Sequence, residues 1–190
     1  MANLILHETP VAQWHALVTE AEQLSSITLP HEVEGYLVLL LTRFTEQAHL
    51  AETVMALDYL HAQTARGNVR SEQLRDVADK CLLIAGLFPQ RAEHRRVKIS
   101  YFVNLGQSAY DLLAHLKHAS LSDLFADLSQ EFVRLMDVLL HCRQLPPQLL
   151  TPIQALELWA DTHSQYALRA LRDNMQEHDT AFLTQQGGVH

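Results

Sequence analysis

Between residues 121 and 140 apolar side chains recur at three- and four-residue intervals: Leu121, Leu124, Phe125, Leu128, Phe132, Leu135, Met136, Leu139 and Leu140. That spacing lines one face of a 3.6-residue helix, whereas a strand would alternate its faces every second residue. The same period returns in Val11, Trp14, Leu17, Val18, Ala21 and Leu24, in Leu74, Val77, Ala78, Cys81, Leu82 and Ala85, and in Phe102, Leu105, Ala109, Leu112, Leu113 and Leu116. A chain patterned this way must fold by packing helix on helix.

The stretches between these stripes carry helix start and stop chemistry. Thr9-Pro10 and Thr151-Pro152 each pair a capping hydroxyl with a proline suited to the first helical turn, and Gln154 completes a capping box with Thr151. Gly67-Asn68 and Gly86 with Pro89 read as C-terminal stops, and Pro146-Pro147 closes the longest stripe. With only six glycines and six prolines, breaks are few. The signals predict about seven helices, at 10–24, 30–47, 50–65, 71–86, 100–118, 120–140 and 151–175. The run Gly35 to Leu41 in the second is apolar nearly all round, which makes it the expected central helix. The fold class expected is all-α, a single-domain bundle over residues 1–190 with frayed ends at 1–8 and 176–190.

An apolar fraction of 48% with 19% charged residues suits a packed domain rather than a disordered chain. Cys81 and Cys142 lie in apolar helical surroundings and read as free thiols, so a reducing, cytoplasmic setting is expected. The longest apolar run, residues 36–41, is far too short to span a membrane, and no secretory leader is visible. The net charge of −8 makes nucleic acid the least expected partner. The charge is unevenly spread: residues 66–118 hold nine bases and five acids, and the flanking regions are acidic.

The positive centre focuses on a connector. Arg91, Arg95, Arg96 and Lys98 precede a predicted helix start at Ser100, where guanidinium groups, a hydroxyl and free N–H groups suit a phosphate or carboxylate. The competing use is internal pairing with the acidic helices. Tyr101, Asn104, Gln107 and Tyr110 flank Gly106 and are candidates for lining a pocket, although close helix contact is the commoner use of such a glycine. Trp159, His163 and Tyr166 fall on one side of the seventh predicted helix and offer a strip for a flat ligand or for the core.

Metal chemistry is the alternative. Glu46-x-x-His49 followed by Glu52 places a carboxylate and an imidazole on one helical face, as in half of a carboxylate-bridged di-iron site. His115 and His118 share a face near Asp111, two ligands without a third. There is no Gly-rich phosphate loop, nucleophile elbow, Cys-x-x-Cys or His-Glu-x-x-His.

The segment 76–114 resembles a family of bacterial all-helical proteins with no assigned activity. The similar elements are Leu87-Phe88-Pro89-x-Arg91, the basic connector, Tyr101-Phe102 and Gly106-x-x-Ala109-Tyr110. The likeness implies a bacterial origin and no mechanism. The functional expectation is therefore a non-catalytic binding or regulatory protein, dimeric through an apolar helix face, with residues 91–98 contacting a small anion or an acidic partner. No cofactor is favoured; iron or haem enters only with the alternative of a metal- or haem-dependent helical-bundle enzyme at Glu46, His49 and Glu52.

Overall fold

The computed structural model describes residues 9–46, 59, 66–94, 97–117, 120–142 and 150–186. Among the described residues there are nine helices and no strand: α1 Pro10–Ser25, α2 His31–Glu46, α3 Gly67–Leu87, α4 Pro89–His94, α5 Ile99–Leu116, α6 Ser120–Gln130, α7 Phe132–Cys142, α8 Pro152–Thr162 and α9 Gln165–Gln186. None of them is long and apolar enough to cross a membrane. The predicted helix at 50–65 lies outside the described residues.

The two Thr-Pro starts are used as the sequence indicates, whereas Gly86 lies inside its helix, which ends with Phe88 as the cap. Thr9 Oγ1 accepts from the Ala12 amide at 3.3 Å, and α1 ends where Ser26 turns left-handed at φ 57°. At α8 the Thr151 hydroxyl accepts from the Gln154 amide at 3.3 Å, and the Gln154 side chain returns the contact to the Thr151 amide at 2.9 Å.

The helix count departs from seven for identifiable reasons. The first part of the basic connector, as far as His94, coils into the short α4. The 120–140 stripe is divided at Glu131, although its amide still donates to Asp127 O and its own carbonyl accepts from Leu135 at 2.8 Å each. The seventh predicted helix breaks at His163, which adopts φ 56° and ψ 30° as the cap of α8. A left-handed non-glycine residue leaves no composition signal, so this corner is invisible to periodicity. Helix α3 begins a turn before Ser71, and α9 continues past Met175.

The central helix is α3, not α2. From Cys81 to Leu87 every residue of α3 is buried, because α5 covers one side and α7 another. Each fully buried leucine there contributes roughly 1.5–3 kcal/mol. In α2, by contrast, Leu39 is 62% exposed, and among the described residues nothing lies within 4 Å of a Cβ placed on Gly35. Helix α2 rests on α1 and α6. Close approach among α3, α5 and α7 depends on two glycines. A Cβ on Gly106 would meet the Phe132 ring at 2.4 Å, and one on Gly86 would meet Leu139 at 2.5 Å.

Both cysteines are free. Burial drives the Cys81 thiol well above its ordinary value and pushes Cys142 up to about 12, so both stay protonated and packed.

Candidate functional site

Among the described residues, a dense polar cluster surrounds a buried carboxylate on the central α3. Asp79 is 2% exposed, with the buried Val77 and Ala78 before it and the buried Cys81 and Leu82 beyond Lys80. Isolated burial of such a charge would be prohibitive, and three donors from two other helices answer it. Tyr36 Oη donates to Oδ1 at 2.7 Å and Tyr110 Oη donates to the same oxygen at 2.6 Å. Arg43 Nη2 donates to Oδ2 as an ion pair. Tyr36 and Arg43 are seven residues apart, two helical turns, which puts both on the face of α2 that looks toward α3.

The two rings are held by other aromatics. Tyr36 stands edge-on to Tyr110 at 6.2 Å and to Phe125 at 6.1 Å, and Phe125 stacks on Tyr110 at 6.2 Å with 23° between planes. Burial, the Asp79 charge and the hydrogen bond to it raise both tyrosine hydroxyls well above the ordinary phenol value, so each remains a donor. Burial likewise pushes Asp79 above the usual aspartate range, opposed by the bond from Tyr110, the charge of Arg43 and the bond from Tyr36. Burial works against the Arg43 charge, and Asp79 more than offsets that, leaving the guanidinium firmly protonated.

A cleft of about 200 Å³ opens beside this cluster, lined by Tyr36, Leu39, Leu40, Arg43, Arg75 and Asp79. The Nε atoms of Arg43 and Arg75 are buried and have no hydrogen-bond partner among the described residues. Arg75 also lines a second cleft of about 150 Å³ with Ser71, Glu72, Leu113, Lys117, Leu121 and Phe125.

Known protein families, curated proteins and solved structures yield no match to this chain. Its chemistry must therefore be read from its own residues.

The residues singled out in the sequence are dispersed. Lys98 and Ser100 line a cavity of about 250 Å³, with Gln154 and Glu157. Lys98 Nζ lies 3.2 Å from Glu157 and 3.9 Å from Asp161, and Ser100 Oγ donates to Asp161 at 2.7 Å. The protein's own Asp161 thus takes the place of an anion at the start of α5. Arg91 lies over the Phe88 ring at 4.8 Å. Arg95 and Arg96 are outside the described residues, as are His49, Glu52 and the side chain of Glu46.

The pocket candidates face different surroundings. Tyr101 is 39% exposed and Asn104 is exposed, whereas Tyr110 faces inward to Asp79. Gln107 is tied to Ser129: its Nε2 donates to the Ser129 backbone carbonyl at 3.3 Å, and Ser129 Oγ donates to the Gln107 backbone carbonyl at 3.0 Å. The Trp159–His163–Tyr166 strip is broken at the His163 corner: Trp159 and His163 meet edge-on at 6.2 Å, and Tyr166 turns to His141 at 5.0 Å. No three metal-ligating side chains converge among the described residues.

A second buried acid, Asp137 on α7, also escaped the motif reading. Its Oδ1 accepts from Ser164 Oγ at 2.5 Å, and its Oδ2 accepts from the Gln165 and Tyr166 amides at 2.8 and 3.4 Å, capping α9 across the bundle. Only Asp137 carries a legible signal, a lone carboxylate inside the apolar run Leu135-Met136-Asp137-Val138-Leu139, whereas Asp79 lies between Asp76 and Lys80 and is not set apart by its neighbours in sequence.

Proposed function

We propose that the protein is a non-catalytic binding or regulatory protein that takes a small anion in the cleft beside Asp79. The observation that carries this reading is the pair of buried Nε–H donors on Arg43 and Arg75, neither of which meets an acceptor among the described residues. A buried donor left without an acceptor costs on the order of 1–3 kcal/mol, which a carboxylate or phosphate oxygen would recover. Guanidinium geometry suits such oxygens bidentately. Asp79 already accepts from Tyr36, Tyr110 and the Nη2 of Arg43. No ion pair engages Arg75 among the described residues. The connector 91–98 ranks behind this cleft, since Lys98 and Ser100 are already engaged by Glu157 and Asp161.

The test is thermal unfolding in phosphate or acetate against chloride at equal ionic strength. Saturable stabilisation is expected, about 2.7 kcal/mol at a hundredfold excess over Kd. Arg75→Gln is expected to abolish it and Lys98→Gln to leave it. Equal shifts in wild type and Arg75→Gln would sink the reading.

A further inference from the structure

We infer that the preferred ligand is a carboxylate with an apolar tail, its head between Arg43 and Arg75 and its tail in the neighbouring cleft. This rests on the anion reading above and adds the class of molecule. Arg75 lines both cavities, so a ligand gripped by its guanidinium has the second cavity as its immediate neighbour. The second cavity asks for hydrocarbon: Leu113, Leu121 and Phe125 supply large apolar walls. Beyond Arg75, its ionic residues are Glu72 and Lys117, whose opposite charges offset one another and together call for no second charged group on the ligand. Leu121 is 51% exposed, an apolar surface that a bound tail would cover. Phe125 packs edge-on to Tyr36, so the aromatic wall of the tail site adjoins the ring that holds Asp79.

The experiment is calorimetric titration with acetate, butanoate, hexanoate and octanoate at fixed ionic strength. Affinity is expected to rise roughly fourfold for each methylene covered, then level off once the tail outruns the cavity. Octanol, which lacks the head group, is expected to bind far more weakly than octanoate. Leu121→Gln, at an exposed position where folding is not at stake, is expected to flatten the rise and leave acetate unchanged. Arg75→Gln should weaken the whole series alike. Acetate binding with no gain along the series would overturn the tail and spare the anion reading. An undiminished gain in Leu121→Gln would also overturn it, by placing the tail elsewhere. Octanol and octanoate binding alike, or no binding by any member, would overturn both.

Discussion

Tyr110 and Asp79 lie 31 residues apart in sequence and meet at 2.6 Å in the interior, phenol hydroxyl to carboxylate, with both side chains withdrawn from solvent. Their contact ties α5 to the central helix, and the addition of Tyr36 and Arg43 ties α2 to the same oxygens. One carboxylate therefore organises three helices at the edge of the proposed binding cleft.

Removing that carboxylate should be costly. In Asp79→Ala, two phenol hydroxyls and a guanidinium lose their acceptor together, and the expected loss is about 3–5 kcal/mol. Asp79→Asn keeps an acceptor oxygen and should lose less. Urea unfolding of both variants measures this; a loss in Asp79→Ala below about 1 kcal/mol would mean the cluster is not an anchor.

Asp137 should impose a pH dependence. Burial raises its carboxyl to about 6, against the bonds from Ser164, Gln165 and Tyr166. A folded value above the unfolded one, about 3.9, means that the native state holds the proton more tightly. Its stabilising contribution is then complete below about pH 4 and declines as pH rises toward 6, by on the order of 2–3 kcal/mol. His141, lowered by burial, acts in the opposite sense and loses stability as pH falls. Comparing wild type with Asp137→Asn at pH 4.5 and 7 cancels the histidine; an identical pH profile in the two proteins would refute the assignment.

Two glycines should respond oppositely to alanine. Gly106→Ala drives a methyl into the Phe132 ring and should destabilise by about 1–3 kcal/mol. Gly35→Ala meets open space inside α2 and should stabilise by about 0.4–1 kcal/mol. Midpoints of thermal unfolding decide both, and the same sign for the two would contradict the packing described.

The capping box gives a smaller expectation. Thr151→Ala should cost about 1 kcal/mol, and Gln154→Ala should cost less in the Thr151→Ala background than alone, because the two contacts are reciprocal. A double-mutant cycle measures the coupling.

Periodicity found the buried faces of α3 and α7 throughout and the middle of those of α1, α5 and α6, where the end members Val11, Leu24, Leu116 and Leu121 are exposed. It misplaced the centre, because the apolar run at residues 36–41 says nothing about how many neighbours cover it; Leu39 is left bare. The corner at His163 was hidden for a different reason: its left-handed backbone is stabilised across the bundle, where Asp137 caps the next helix. Tyr110 was singled out for its neighbours in sequence, Asn104 and Gln107, whereas its working partners are Asp79 and Tyr36 on other helices. Local pattern identifies faces, and the cleft is made where three faces are brought together by tertiary packing.

Gly106 and Phe132 occupy one another's space so fully that neither position can drift alone. A methyl at 106 becomes tolerable only after the ring at 132 has shrunk, and a smaller side chain at 132 leaves a void until 106 grows. Related chains, when aligned, should therefore show these two sites exchanging volume in concert, a covariation that would locate the crossing of α5 and α7 without any coordinates.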